Sequence, residues 1–287
     1  MTFQKKLLSL AVIGLALSAP VAHAAIDNGV NSPGNGELFF SLWSDNGTAT
    51  TADDVSYTRD LGIKINDFAS AVNPITLAAA KITAGYTQSF AADTLLSSFL
   101  NSATLAGANL LWNVVGADSF GADRFVSTAA QGTPALPAQS TSLHRQVGAA
   151  GVPQYVSAVN GLAGNTNLAL NNSITATFSD GNAYAGGTAW GSSLGGRVSF
   201  NSAGTIGAQL PFFLQYETST TQTGNALQQQ FTSALGAGAN GSAAYWTLDA
   251  SGNLSYNVAA VPEADTWAMF AAGLLAVGAI ARRRLAA

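Results

Sequence analysis

Ser193 lies in the segment Gly191-Ser192-Ser193-Leu194-Gly195, which matches the G-x-S-x-G turn that presents a nucleophilic serine in one class of hydrolases. Such a serine needs a histidine as its base, and in hydrolases of that fold the histidine follows the serine along the chain. His144 is the only histidine beyond residue 24, and it precedes Ser193. We therefore interpret the segment as a glycine-rich loop without a catalytic serine.

Carboxylates offer a second possible chemistry. Glu37 and Glu217 are the only glutamates between residues 25 and 260, whereas aspartates are plentiful. A glycosidase requires two carboxylates that face each other across a cleft, one of them with a raised pKa. A sufficient number of acids does not indicate such a pair, and we expect surface acids that keep the protein soluble. The sequence thus predicts a protein that is not an enzyme, and a secreted hydrolase is the weakest alternative.

Metal binding is a third possibility. Asp45-Asn46-Gly47 and Asp53-Asp54 bracket a polar segment whose oxygens could bind Ca²⁺. Their spacing matches no known calcium loop, so we expect a solvated turn and no cofactor, with Ca²⁺ as the alternative. Zinc held by thiolates is excluded because the chain has no cysteine. A histidine site would need a second histidine near His144, which we expect at the surface or at a helix cap.

Aromatic side chains provide candidate sugar contacts. Exposed rings can stack on the apolar faces of sugars, and Trp43, Trp190 and Trp246 are available for this role, together with Trp112 and Tyr245. In strands, however, tryptophan is more often buried or half-buried. A carbohydrate-binding module or adhesin is therefore an alternative function, and it requires at least two tryptophans aligned on an exposed face.

Composition limits the possible partners. Between residues 25 and 260, six basic residues stand against thirteen acidic ones, a net charge of −7. Phosphate binding needs clustered Lys and Arg, so nucleic acid is excluded as the main partner. Without cysteines, the stability of the chain must come from core packing and strand pairing rather than from disulfides. The region is long enough for one large domain with a substantial core.

Apolar runs of strand length recur along this region. Strands are predicted at residues 37–43, 55–61, 109–115, 124–129, 173–178, 183–190, 197–201, 206–216, 243–248 and 253–258. The first two predict a hairpin or two neighbouring strands. Asp249-Ala250-Ser251-Gly252 predicts a hairpin turn between the last two, because Asp and Gly tolerate the positive φ of such turns.

Helical spacing predicts short helices between these strands. They fall at residues 67–71, 88–100, 144–150 and 154–162, and residues 131–140, with two prolines, predict a surface loop. The elements together predict a mainly β fold with several short helices, arranged as a single β-sandwich-like domain over residues 25–260.

The first 24 residues predict export. Two lysines precede a largely apolar stretch over residues 7–19, and small residues follow in Ala22-His23-Ala24, which is the order of a secretory signal peptide. The apolar stretch would form a helix of about 20 Å, which is too short to cross a hydrocarbon core of about 30 Å comfortably, so cleavage is favoured over a retained anchor. We predict that the Sec machinery exports the chain and that this signal helix is cleaved after Ala24, because Ala22 and Ala24 suit signal peptidase.

The C-terminal segment, residues 261–287, has an organisation of its own. Pro262 and Glu263 lead to an apolar run over residues 267–281, which begins with Trp267 and is followed by Arg282, Arg283 and Arg284. Arginines remain on the cytoplasmic side of a membrane, and tryptophan is common at its outer boundary. The pattern predicts a short transmembrane helix over residues 267–281 with the preceding domain outside the cytoplasm.

This tail resembles the PEP-CTERM sorting domain of Gram-negative bacteria, which has a Pro-Glu-Pro box, a short hydrophobic helix and a terminal basic cluster. The residues that carry the resemblance are Pro262, Glu263, Thr266, Trp267, Ala268, Met269, Gly273, Leu274, Leu275 and the three arginines. Ala264 departs from the pattern, because the box has a second proline at that place. The resemblance covers only the tail, and it implies recognition and cleavage by an exosortase in species that produce exopolysaccharide.

The sequence therefore predicts an exported structural protein of the cell surface or extracellular matrix, in a biofilm or exopolysaccharide setting. Its predicted partners are the Sec machinery and an exosortase during export, with the inner membrane contacted transiently through the tail and exopolysaccharide as a further partner. A plain C-terminal membrane anchor is the alternative interpretation of the tail.

Overall fold

The computed structural model describes residues 25–30, 35–45, 53–70, 75–102, 105, 108–118, 123–162, 172–217, 224–232, 243–259 and 272–275. The signal peptide predicted over residues 1–24 lies outside the described residues. So does the predicted sorting tail, except for residues 272–275, which are helical with Leu274 and Leu275 exposed. No helix in the described ranges is long and apolar enough to cross a membrane.

Apart from the helical residues 272–275, eleven strands and four short α-helices are described in these ranges. The strands are β1 (Glu37–Asp45), β2 (Val55–Lys64), β3 (Thr87–Phe90), β4 (Asn109–Ala117), β5 (Phe125–Thr128), β6 (Ser173–Thr177), β7 (Gly204–Thr205), β8 (Gln209–Tyr216), β9 (Leu227–Gln230), β10 (Ala244–Leu248) and β11 (Leu254–Val258). The helices are α1 (Ala79–Ile82), α2 (Thr94–Leu100), α3 (Thr141–Gln146) and α4 (Val152–Asn160). The prediction of a mainly β fold with several short helices is confirmed.

The strands form one antiparallel path rather than the two separate sheets of a sandwich. The order is β3-β11-β10-β8-β5-β4-β1-β2-β6, with β7 paired to β4 and β9 to β8. The two ends of this path approach each other. Arg59 lies in β2, the strand next to the terminal strand β6, and its Nη1 donates to the carbonyl oxygen of Ala91, just after β3, at 2.6 Å. The sheet is therefore curled, and the predicted sandwich-like arrangement is corrected to a curled sheet.

Both faces of the sheet are buried at β1, which explains why residues 38–40 and 42–43 of this strand are apolar without strict alternation. Neighbouring residues point to opposite faces. Phe40 and Leu42 belong to the core inside the curl, together with Trp246 from β10. Phe39 and Trp43 belong to a second core on the outer face, which α4 covers.

The hairpin predictions at the two ends of the domain are confirmed. β1 pairs with β2 in antiparallel register from Glu37↔Lys64 to Trp43↔Ser56. β10 pairs with β11, and the connecting turn places Gly252 at φ +84°. The carboxylate of Asp249 accepts from the backbone nitrogens of Ser251 and Asn253, which closes the turn.

Several predicted elements have different forms in the structure. Residues 88–100 are divided between β3 and α2, and the helix predicted at residues 67–71 is reduced to a 3-10 turn at Ile65–Asp67. Residues 183–190 and 197–201 were predicted as strands, but they form turns that pack over the outer face of the sheet. The two helices predicted between residues 144 and 162 are confirmed as α3 and α4, joined by a π-helical turn at Val147–Gly151.

Candidate binding cleft

A glycine-rich loop, residues 185–196, covers part of the outer face of the sheet. Gly191, Gly195 and Gly196 have φ values of +58°, +70° and +74°, and Leu194 adopts the left-handed conformation at +50°. Such angles are accessible to glycine but costly for most other residues. They turn the chain sharply directly after residues 183–190, the segment that was predicted as a strand.

Trp190 anchors the loop to the sheet. Its ring stacks on Tyr155 of α4 with centroids 4.2 Å apart and an interplanar angle of 13°, and Phe39 of β1 lies 5.5 Å from the same tryptophan. The Tyr155 hydroxyl is within 2.5 Å of Thr58 Oγ1 and 3.3 Å of Ser41 Oγ, so it is bonded inside the core. Burial raises the pKa of Tyr155 to about 12.

Trp43, Tyr184 and Gly186 form the floor of a cleft beside this loop, and close contacts hold them in place. Tyr184 donates its hydroxyl to the carbonyl oxygen of Ser44 at 2.8 Å. The backbone of Gly186 passes so close that a Cβ there would lie 2.3 Å from Tyr184 Oη and 2.7 Å from Trp43 Cδ1. The loop can therefore approach the two aromatic side chains only because residue 186 is glycine.

The space between this loop, the end of β1 and the turn after β6 forms a cleft of about 430 Å³, here called the aromatic cleft. Its lining residues are Trp43, Asp54, Leu111, Phe178, Tyr184, Gly186, Gly187, Thr188, Trp190, Gly191, Ser192 and Ser193. The volume lies within the range of small-molecule sites, about 300–1,000 Å³. The mixture of aromatic walls and hydroxyl groups is suited to a ligand that has both apolar and polar faces.

Phe178 forms the exposed aromatic rim of the aromatic cleft. It begins the 3-10 segment Phe178–Ala183, and its side chain is 45% exposed. The ring contacts Tyr184 with centroids 5.9 Å apart and an interplanar angle of 63°. Its backbone nitrogen donates to the carbonyl oxygen of Asp54 at 3.0 Å, which fixes the rim to the start of β2.

The described lining of the aromatic cleft contains one acidic residue and no basic residue. Asp54 is the charged residue among the described lining residues, while Thr188 and Ser193 present exposed hydroxyl-bearing side chains. Arg197 lies beyond the loop, and its Nη1 donates to the carbonyl oxygens of Ala189 and Leu194. Its guanidinium stabilises the loop instead of lining the cleft.

Ser193 lines the aromatic cleft, but the hydrogen bond of its hydroxyl oxygen lies within its own loop. Its Oγ accepts from the backbone nitrogen of Gly196 at 3.1 Å. His144 lies in α3, where Nε2 contacts the carbonyl oxygen of Asp123, and it is not among the residues that line the cleft. The structure thus does not bring this serine and this histidine together in one site.

His144 is buried, so its prediction as a surface or capping residue is wrong. It packs in a charged corner where Arg145 contacts Glu217 at 2.7 Å and Asp123 at 3.6 Å. Burial lowers the pKa of His144 and, with the nearby Glu217 carboxylate, raises the pKa of Asp123. Glu217 was expected at the surface, and it is instead buried beside Arg145.

The two glutamates occupy different places. Glu37, in β1, accepts from the backbone nitrogen of Asp27 at 2.8 Å and lies 3.9 Å from Lys64. Glu217 follows β8 and pairs with Arg145. Each glutamate therefore belongs to an ion pair with a different basic residue.

The tryptophans proposed as sugar contacts are buried. Trp43, Trp190 and Trp246 are 3%, 1% and 0% exposed, and Trp112 is likewise in the core. None of these four presents a ring face to solvent, so they do not form the exposed platform that the carbohydrate hypothesis required. Trp43 and Trp190 nevertheless contribute to the walls of the aromatic cleft, whereas Trp246 lies inside the curled sheet.

Sequence reasoning missed Phe178 as a rim residue, because it was placed at the end of a predicted strand. The signal in the sequence was an aromatic residue two positions before the turn-forming pair Asp180-Gly181. The calcium segment lies partly outside the described residues, since residues 46–52 are not described, and the described ranges contain no group of three or more His, Cys, Asp or Glu side chains that could hold a metal ion.

The sorting residues Pro262, Glu263, Trp267 and Arg282–Arg284, and the cleavage residues Ala22 and Ala24, lie outside the described residues. The aromatic cleft, by contrast, is formed by described residues, and it is the candidate site of the domain. No family model, curated protein or solved structure is significantly similar to this chain.

Proposed function

We propose that the chain is an exported, non-enzymatic structural protein of the cell surface or extracellular matrix, sorted by an exosortase-type system. The observation that carries the proposal is the pairing of an export signal over residues 1–24 with a tail that combines Pro262-Glu263, an apolar run and three terminal arginines. Removal of the tail would release the domain from the inner membrane after export.

The organisation of the domain supports this role. Its stability depends on a curled sheet with a buried core on both faces, and the chain contains no cysteine. Such a domain needs no disulfide formation after export. The predicted tail begins at residue 261, shortly after β11 ends at Val258, so a processed chain would retain all eleven described strands.

The intact mass of the protein recovered from its native host tests the proposal. We expect a chain that begins at Ala25 and lacks the segment beyond about Trp267. Deletion of the exosortase gene should restore the mass of the tail and keep the protein in the membrane fraction. Recovery of a chain that extends to Ala287 in the unmodified host would instead support a plain membrane anchor.

A further inference from the structure

The strand path ends at β6, which pairs with β2 on one side only among the described residues. The backbone nitrogen of Asp60 donates to the carbonyl oxygen of Asn172 at 2.7 Å, at one end of this pairing. The backbone nitrogen of Phe178 donates to that of Asp54 at 3.0 Å, at the other end. Bonded pairs alternate along an antiparallel ladder, so the even-numbered residues from 172 to 178 bond to β2. The backbone N–H and carbonyl groups of Thr175 therefore point away from β2.

The free edge of β6 lacks the features that usually keep other chains away from a sheet. Residues 173–177 have the sequence SITAT, without a charged residue or a proline, and their register with β2 is regular. Thr175 and Thr177 are both exposed. Natural sheets protect an open edge with charged side chains, proline, a bulge or a covering element. An accessible and neutral edge such as this one is able to pair with an added strand.

Helix α2 lies beside this edge but does not close it. A groove of about 270 Å³, here called the edge groove, lies between the two elements. Its walls include residues 175–177 of β6, Leu95, Ser98 and Phe99 of α2, and the neighbouring Val55 and Leu105. Asp93 holds the helix in this place, because it caps α2 and accepts from the Tyr57 hydroxyl at 2.6 Å.

The chemistry of the edge groove fits an extended peptide. None of its described lining residues is charged, and most of their side chains are apolar. Phe99 is only 7% exposed, so it offers little ring surface on which a sugar could stack. A backbone donor and acceptor on one wall match the main chain of a strand, and the apolar wall opposite matches every second side chain. A charged side chain in the groove would lose water without gaining a counter-ion.

We propose that the edge groove binds an extended, uncharged segment of a partner protein, which adds a strand to β6 and places alternate side chains against α2. The inference goes beyond the sorting proposal and does not depend on it. A second copy of the chain is a poorer occupant. The other described strands of four or more residues with one partner, β3 and β9, have the sequences TQSF and LQQQ, which are mainly polar.

Fluorescence polarisation tests the inference with the protein recovered from its native host. The probe is a labelled, capped hexapeptide of alternating valine and threonine, and we expect saturable binding. A peptide of the same sequence with every backbone nitrogen methylated keeps the side chains but cannot donate hydrogen bonds. A peptide with lysine in place of valine keeps the backbone but adds charge. Each should bind at least about ten-fold more weakly.

These peptides leave the inference open to contradiction. Equal binding of the methylated peptide would show that no strand is added, and preferential binding of the lysine peptide would show that the groove does not select neutral side chains. Absence of binding by the valine–threonine peptide would also overturn the inference.

Substitution of Thr175 locates the binding at the edge of β6. Thr175→Pro removes an N–H that does not bond to β2, which an edge strand tolerates, and it should weaken peptide binding at least about ten-fold. Ser89→Pro is the matched control. Tyr86 pairs with Val258, so Ser89 points away from β11 in the same way, but it lies outside the edge groove. Equal affinities of the two variants would overturn the inference.

A second variant approaches the edge groove from the helix and leaves the sheet unchanged. Ser98 is exposed and lines the groove, so Ser98→Arg should place a long cation in it and weaken binding at least about ten-fold. Thr94→Arg is the control, because Thr94 is exposed on α2 but does not line the groove. Unchanged binding by Ser98→Arg would contradict the assignment, even if Thr175→Pro fails to fold.

Two further measurements complete the test. Thermal unfolding of each variant, with a transition close to that of the unmodified protein, establishes that a loss of binding is not a loss of fold. Sedimentation velocity should show that the unmodified protein does not self-associate through β6. A dimer that Thr175→Pro dissociates and Ser89→Pro leaves intact would assign the edge groove to a second copy and overturn the proposal of a partner segment.

Discussion

The hydroxyl of Tyr57 donates to Oδ2 of Asp93 at 2.6 Å, which joins two parts of the chain from opposite ends of the strand order. Tyr57 is fully buried in β2, whereas Asp93 follows β3 and caps α2 by accepting from the backbone nitrogen of Leu96 at 2.7 Å. One carboxylate therefore both starts a helix and holds the curled sheet together. Burial, with the nearby Asp93 carboxylate, raises the pKa of Tyr57 above its usual range.

Tyr57→Phe should lower the free energy of unfolding by about 1.5–3 kcal/mol, because it removes a hydrogen bond to a charged acceptor. Urea unfolding followed by tryptophan fluorescence would measure the loss. Tyr245→Phe serves as the control, since Tyr245 is only half-buried, and it should change the stability by less than about 0.5 kcal/mol. Equal stabilities of the two variants would show that the Tyr57–Asp93 contact does not hold the sheet together.

Asp60 makes the stability of the fold dependent on pH. It is buried in β2, where it accepts from the backbone nitrogen of Gly62 at 2.8 Å, and desolvation raises its pKa to about 6. The unfolded value is about 3.9, so the folded state binds more protons between these values. The contribution of Asp60 to stability is therefore fully present below about pH 4 and is lost as the pH rises through 6.

Asp60→Asn should raise the free energy of unfolding at pH 7.5 by up to about 3 kcal/mol and reduce its variation between pH 4 and 7. The amide oxygen can still accept from Gly62. Asp53→Asn, which removes an exposed carboxylate, is the matched control and should leave the variation in place. Denaturant unfolding at a series of pH values would distinguish the two. An unchanged pH profile in Asp60→Asn would contradict the assignment.

The sequence predicted the strands that follow simple rules and missed those that depend on distant contacts. The β1–β2 and β10–β11 hairpins were predictable because apolar runs of strand length are separated by polar turn residues. β9 was missed, since Leu227–Gln230 is a polar strand with three glutamines and its pairing with β8 is decided by tertiary contacts. Residues 183–190 were predicted as a strand because they form an apolar run of strand length, but their apolar side chains pack on the sheet face from turns.

The aromatic cleft could not be predicted as a unit. Its lining comes from the end of β1, the start of β2, the turn after β6 and the loop that follows, which are separated by up to about 150 positions. Trp43 and Trp190 were predicted as sugar contacts on an exposed face, but both are buried in the core on the outer face of the sheet, and the sequence alone does not reveal that packing. The buried ion pair between Arg145 and Glu217 could not be predicted either, because the two residues are 72 positions apart in the sequence.

Arg124 and Asp118 form a completely buried ion pair between the end of β4 and the start of β5. Arg124 Nη2 and Nε lie 2.6 and 3.0 Å from Asp118 Oδ2, and Nη1 donates to the carbonyl oxygen of Ala69 at 2.6 Å. Arg124→Met should destabilise the fold by about 3–5 kcal/mol, because it leaves a buried carboxylate without its cation.

Lys64→Met is the control for this substitution. Lys64 is 40% exposed and lies 3.8 Å from Asp27 and 3.9 Å from Glu37, so its loss should cost less than about 1 kcal/mol. Guanidinium unfolding curves of the two variants would be compared. A cost for Arg124→Met as small as that for Lys64→Met would contradict the importance of the buried pair.

Gly186→Ala should destabilise the fold by about 1–3 kcal/mol, because its Cβ would overlap the bonded Tyr184 hydroxyl and the Trp43 ring. Gly187→Ala offers a matched control in the next position, where the nearest atom to a Cβ is Tyr184 Cδ1 at an ordinary 3.4 Å. Thermal unfolding should show a lower transition temperature for Gly186→Ala alone. Similar transition temperatures would show that the floor of the cleft can rearrange.

Substitution of Ala264 tests the sorting proposal, because the expected result is an increase in tail removal rather than a decrease. In the resemblance proposed for the tail, Ala264 stands where a PEP-CTERM box has its second proline, and proline would restrict the backbone before the apolar run. If an exosortase-type enzyme recognises the box, Ala264→Pro should increase the fraction of trimmed chain in the native host, and Pro262→Ala should decrease it. A plain anchor depends on hydrophobicity and positive flanking charge, so both variants would then retain the tail equally. Intact-mass spectra of the two variants and the unmodified chain would separate these mechanisms, because only the enzyme distinguishes proline from alanine at positions 262 and 264.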